Sequence, residues 1–143
     1  MKTAAIIAEY NPFHNGHKYQ IEETKRQTGA NFIVVVMSGD FVQRGIPAMY
    51  SKTFRTRSAL LSGADLVIEM PIFGTLSAAQ DFARCGVSLF HHMGMIDVLS
   101  FGSESGNIEE LWQLANHSAL ETNEQSALIR EGLRSGLTYP QAL

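Results

Sequence analysis

The sequence predicts an α/β protein: a doubly wound, open parallel sheet with helices on both faces. Three observations carry that expectation. Four short apolar runs lack polar alternation, as strands covered on both faces do. Amphipathic stretches, each closed by a glycine, separate them, giving the order β-α-β-α-β-α-β and right-handed crossovers. The chain has 143 residues, 45% of them hydrophobic, enough to bury a core without a disulfide or metal staple.

The first run is Ala4-Ala5-Ile6-Ile7-Ala8. A helical stretch over 16–28 follows and ends at Gly29, a residue suited to a left-handed C-cap. Phe32-Ile33-Val34-Val35-Val36-Met37 is mostly β-branched and predicts the second strand. Residues 51–62 predict a helix ending at Gly63. Leu66-Val67-Ile68, between Asp65 and Glu69, predicts strand three. A helix is expected over 75–93, closed by Gly94, and strand four at Val98-Leu99-Ser100-Phe101 before Gly102. Beyond Gly106 the chain turns helical and acidic, from Asn107 to Asn116 and from Ser118 or Thr122 to Arg134. Glu109 and Glu110 fall in an early turn, where the helix dipole favours them.

Composition excludes several classes. A single cysteine, Cys85, rules out an internal disulfide framework and a cysteine-rich zinc site; its setting reads as a small buried residue. The opening apolar run breaks at Glu9-Tyr10-Asn11-Pro12 with no cleavage pattern. No run of 18 apolar residues exists, so a membrane span is not expected and the location expected is cytoplasmic. The net charge of −3 hides a division. Residues 1–60 hold eight Lys/Arg against four Asp/Glu, whereas residues 61–143 hold three against ten. An evenly basic nucleic-acid coat is excluded; an anion site in the first half is not.

In an open parallel sheet, ligands bind beyond the carboxyl ends of the strands, where strand order reverses. The loop after strand one carries His14 and His17, three apart at a helix entrance and able to share a face. Gly16 between them lets a phosphate approach the backbone, and the helix N-terminus is an anion site. Both imidazoles and Lys18 supply donors for a phosphoryl group. Two surface histidines in a turn, or two zinc ligands, are the competing readings; no spacing from His91 or His92 supports a third ligand. With sheet order 3-2-1-4, the loop after strand four adjoins this one. Gly102 there would allow contact with a flat base, and Ser103 and Glu104 could bond a ribose or adenine edge, or the loop is only a turn into a helix.

A third loop, Ser38 to Gly45, leads into Lys52, Arg55 and Arg57. Residues 40–57 carry four positive charges against one negative, either reaching triphosphate or RNA backbone or forming a solvated helix face. Asp65 and Glu69, at the two ends of strand three, are read as ordinary flanking charges rather than catalytic carboxylates.

His14-Asn15-Gly16-His17 resembles the His-x-Gly-His signature of the nucleotidyltransferase superfamily. The wider strings are more specific: Glu9 to His17, Val36 to Gly45, Asp65 to Pro71, Phe101 to Gly106 and the closing Leu137-Thr138-Tyr139-Pro140. Together they resemble the bacterial tRNA(Met) cytidine acetate ligase family over nearly the whole chain. The resemblance implies a Rossmann-like nucleotidyltransferase fold of strand order 3-2-1-4. It implies activation of acetate with ATP as acetyl-adenylate, pyrophosphate leaving, and transfer of the acetyl group to N4 of the wobble cytidine of elongator tRNA(Met). It places ATP on Ile7, Ala8, Glu9, Tyr10, Asn11, Pro12, Phe13, His14, Asn15, Gly16, His17, Lys18, Tyr19 and Gln20, with His14 and His17 on the phosphates and Gly102 as a further contact.

The partners so implied are ATP, acetate and elongator tRNA(Met), with neither DNA nor a membrane. Mg²⁺ is expected as the counter-ion of ATP, with no protein ligand assigned to it and no metal-site residue named. Family members continue well past the point matching Leu143, so residues 1–143 are expected to be an N-terminal, ATP-binding domain of a longer enzyme. A small-molecule adenylyltransferase acting on a cofactor precursor and a non-catalytic nucleotide-binding module are the alternatives.

Overall fold

In the computed structural model, the structure describes residues 1–119 and 123–138. They fall into two compact units, Met1–Gly102 and Ser103–Leu143. The first unit holds four strands, β1 (Thr3–Ala8), β2 (Phe32–Met37), β3 (Leu66–Glu69) and β4 (Val98–Ser100). All neighbouring pairs are parallel, in the order β3-β2-β1-β4. That is the order the resemblance implied, with strand order reversing between β1 and β4.

Helix α1 (Asn15–Thr28) joins β1 to β2, and α2 (Lys52–Leu61) joins β2 to β3. The helix expected over 75–93 starts later, as α4 (Ala79–Met93), and a separate short helix, α3 (Ile72–Thr75), precedes it. The break falls at Leu76 to Ala78, where Ser77 turns its hydroxyl back to the Gly74 carbonyl at 2.6 Å, a local bond that competes with continued helix. The other boundaries agree to within about two residues, except that the first helix beyond Gly106 runs to Ala119 rather than Asn116. Of the three glycine stops, Gly29 and Gly94 cap their helices in left-handed conformation, whereas Ser62 caps α2 and Gly63 follows it.

Two apolar layers cover the sheet. Ala4, Ile6, Ile33 and Val35 meet Ile21 of α1 and Ala59 of α2 on one face. Ala5, Val34 and Val36 meet Phe82 and Phe90 of α4 on the other. This double burial explains why strands one and two read as continuous apolar runs. Gly86 lets α4 approach β1: a Cβ built there would lie 2.6 Å from Cδ1 of Ile7. Cys85 is half-buried and free.

The second unit contains α5 (Ile108–Ala119) and α6 (Asn123–Arg134). Asn107 Oδ1 accepts from the amides of Glu109 and Glu110 at 3.2 and 3.3 Å and so starts α5. Thr122, one expected helix start, lies outside the described residues, as do Tyr139 and Pro140. Among the described residues no helix is long and apolar enough to cross a membrane.

Candidate functional site

A cleft of about 440 Å³ opens at the carboxyl ends of β1 and β4, the position the topology favours for a ligand. Ile7, Ala8, Glu9, Tyr10, Asn11 and Pro12 supply one stretch of its wall. His14, His17 and Gln20 come from the start of α1, and Phe101 and Gly102 from the end of β4. Ten of these eleven are among the residues on which the family resemblance places ATP; the eleventh, Phe101, lies just past the end of β4 at Ser100 rather than in the strand.

The two histidines are held by their own backbone. His14 is the N-cap of α1, and its Nδ1 accepts the Gly16 amide at 3.1 Å. His17 Nδ1 accepts the His14 amide at 3.2 Å. The pair thus forms a reciprocal capping box, with imidazoles in the roles usually taken by a hydroxyl and a carboxylate. Their rings stack with centroids 3.8 Å apart and planes 27° apart. Because each Nδ1 accepts, the hydrogen-bond network assigns the proton of each neutral ring to Nε2. Two N–H donors remain for a ligand.

Burial holds the His17 pKa below the usual histidine value, and the neighbouring His14 charge pushes it the same way. Tyr10, 1% exposed, packs edge-on against His17 and Phe13, each at 4.8 Å. Burial raises the Tyr10 pKa well above the ordinary tyrosine range.

The remaining expected contacts are not in the cleft wall. Phe13 packs behind it against Tyr10 and His17. Lys18 pairs with Glu22 at 3.8 Å, and Tyr19 is 64% exposed. Asn15 and Gly16 begin the helix. A Cβ on Gly16 would lie 2.9 Å from the His14 ring, so the motif's glycine makes room for that ring. The amides of Gly16, His17 and Lys18 are taken by His14, through Nδ1 and its carbonyl oxygen. The imidazoles therefore present donors where free amides were anticipated. In the second unit, Ser103 Oγ lies 3.4 Å from both Ser105 Oγ and the Gly106 amide.

The loop after β1 is moored to the segment after β2. Glu9 Oε1 accepts from the Gln43 amide at 2.8 Å, and Asn11 Oδ1 from the Met49 amide at 2.7 Å. Arg55, fully buried, donates Nε to the Tyr50 carbonyl at 3.0 Å and Nη1 to the Glu9 and Ser38 carbonyls at 2.6 and 3.1 Å. Its Nη2 donates to the Gly39 carbonyl. Of the four cations in 40–57, expected either to reach phosphate or to form a solvated face, Arg55 does neither: it is buried on main-chain carbonyls. Lys52 is paired with Glu69 at 2.8 Å and lies 3.6 Å from Asp40; Arg44 and Arg57 stand exposed, and among the described residues neither forms an ion pair. Asp65 and Glu69 are likewise separate and committed, Asp65 accepting the Ile33 amide at 2.8 Å. Among the described residues, no group of three or more His, Cys, Asp or Glu gathers as for a metal ion.

The family described as HIGH Nucleotidyl Transferase matches residues 1–143. A tRNA(Met) cytidine acetate ligase of Acetivibrio thermocellus is 45% identical over 99% of this chain, and one of a Geobacillus species is 46% identical over the same share. The crystal structure of Thermotoga maritima TmcAL bound with alpha-thio ATP is 36% identical and covers 99% of the chain with a TM-score of 0.90. Its apo form gives 0.91. The chain spans about a third of the length of these relatives: 34% and 35% of the two ligases and 34% of the crystallised protein. With the His14-Asn15-Gly16-His17 loop at the switch point of a 3-2-1-4 sheet and the family match over its full length, this chain belongs to the HIGH nucleotidyl transferase family.

Proposed function

We propose that this chain forms the ATP-binding part of a tRNA(Met) cytidine acetate ligase and that the cleft at His14 and His17 is where acetate is activated. The observation that carries the reading is the pair of stacked imidazoles whose Nδ1 atoms are both occupied by main-chain amides. Each ring is locked in one tautomer, with Nε2–H left for phosphate oxygens. The likeness to a protein crystallised with an ATP analogue supports ATP as the nucleotide, and the names of the relatives support the acceptor.

An acetate oxygen attacks the α-phosphorus of ATP, the bond to the β-phosphate oxygen breaks, and pyrophosphate leaves. The imidazole donors stabilise charge that builds on the phosphate oxygens, while the cleft holds the two reactants in line. The N4 amine of the wobble cytidine of elongator tRNA(Met) then attacks the acetyl carbonyl and expels AMP, with loss of a proton. No enzyme nucleophile enters either step. Mg²⁺ enters with ATP as its counter-ion. Ile7 to Pro12, Gln20, Phe101 and Gly102 shape the cleft around the nucleotide, while Phe13, Asn15, Gly16, Lys18 and Tyr19 support the loop and the start of α1.

The test is nucleoside analysis by mass spectrometry of elongator tRNA(Met) incubated with the intact polypeptide that carries this chain. N4-acetylcytidine that requires both ATP and acetate is the expected result. No acetylation, together with pyrophosphate exchange that requires a nucleotide or pantetheine phosphate, would replace the reading with a small-molecule adenylyltransferase.

A further inference from the structure

The register of β1 against β2 ends at Ala8 and Met37, and the last ladder bond runs from the Ser38 amide to the Ala8 carbonyl at 3.2 Å. Beyond it the β1–β2 ladder stops, and Glu9 to Pro12 run on as part of the cleft wall. The next carbonyls, of Glu9 and Ser38, have lost their strand partners. Both accept from Nη1 of Arg55, while Nη2 takes the Gly39 carbonyl and Nε the Tyr50 carbonyl.

We propose that Arg55 is a positioning residue for the nucleotide site: its guanidinium replaces the missing ladder where the pairing of β1 with β2 stops and fixes the course of the histidine loop. This rests on the proposed reading of that cleft. Arg55 reaches His17 through two residues. It holds the carbonyl of Glu9, the residue before Tyr10; Tyr10 takes a left-handed φ of 49°, and its buried ring packs on His17 at 4.8 Å. All four acceptors of Arg55 are main-chain oxygens. A planar fork of five donors suits such a set, whereas a lysine ammonium offers three donors from one point. The arginine is therefore specified by the spacing of four carbonyls rather than by a need for charge.

The test compares the wild-type intact polypeptide with its R55K variant in two readings. Acetate-dependent exchange of pyrophosphate into ATP reports the reacting geometry, and the titration of His17, followed by NMR with labelled histidine, reports the loop. R55K is expected to lower exchange turnover about 100-fold and to move the His17 pKa up towards that of a free histidine. A purely structural role would lower the melting temperature while turnover per folded molecule and the His17 titration stay at wild-type values, and that result overturns the proposal. Where R55K does not fold, R55A is measured with millimolar guanidinium added. Restored exchange upholds the proposal; failure of both variants to give folded protein assigns Arg55 to folding alone and overturns it. Wild-type protein without acetate-dependent exchange contradicts the ligase reading instead, and the His17 titration still decides the role of Arg55.

Discussion

His14 and His17 stack at 3.8 Å and cap the same helix, each ring accepting a main-chain amide at Nδ1. Structure and chemistry meet in this pair. The bonds that start α1 are also the bonds that leave each Nε2 with its proton.

The two duties of His14 can be separated by substitution. His14→Ala removes the N-cap and is expected to cost about 1 kcal/mol in urea unfolding. His14→Asn restores a side chain suited to the N-cap and is expected to recover most of that loss. Adenylate formation by the intact polypeptide is expected to fall about 10²–10³-fold in both variants and in His17→Ala. Activity within a few-fold of wild type in any of them removes that histidine from the chemistry.

Stability should depend on pH through His17. Its folded pKa lies below the ordinary value, because burial and the His14 charge both disfavour the imidazolium. At acid pH the unfolded chain then binds more protons at this site than the folded one, so stability rises with pH. The contribution is complete above the unfolded pKa of about 6.5. It is lost as the pH falls from there through the depressed folded value, where protonation at Nδ1 also forfeits the His14 amide. Urea midpoints from about pH 8 down to about pH 5 should fall in wild type and less steeply in His17→Gln. Parallel curves would contradict the assignment.

Gly86→Ala tests the close approach of α4 to β1. The added Cβ would lie 2.6 Å from Ile7 Cδ1 and 2.8 Å from its Cγ1, so the Ile7 side chain or the helix must shift. Overpacking of this kind costs about 1–3 kcal/mol, measurable by urea unfolding. Because Ile7 also lines the cleft, weaker ATP binding by titration calorimetry is expected alongside.

Glu69 is expected to be dispensable for turnover. Its carboxylate pairs with Lys52 at the surface, an arrangement that contributes little to stability and aims no proton acceptor at the cleft. Glu69→Gln should leave adenylate formation within a few-fold of wild type. A loss of 100-fold or more would make Glu69 a catalytic carboxylate rather than a flanking charge.

What the sequence made legible follows from the range of the interactions involved. β1 and β2 are apolar on both faces, so each announces itself as a continuous run. The histidine loop is equally local, since its caps join residues two and three apart. Phe101 and Arg55 act over longer range. Phe101 comes to the loop after β1 only through the pairing of β4 with β1, and where that strand ends cannot be read from an apolar run. Arg55 shares its helix with exposed Arg57, and sequence alone treats them alike. Only the end of the β1–β2 ladder leaves the carbonyls that select one of them for burial. The turn before α4 is not legible because Leu76, Ser77 and Ala78 continue its apolar spacing, while α3 is a single turn of Ile, Phe, Gly and Thr, residues of weak helix propensity.

Whether acetate is the group activated at this cleft is what the proposed function turns on. Exchange of labelled pyrophosphate into ATP by the intact polypeptide, with and without acetate, measures it. The expected result is exchange that appears only with acetate and falls about 10²–10³-fold in His14→Ala and His17→Ala. Exchange indifferent to acetate, or unchanged when both histidines are removed, would contradict it.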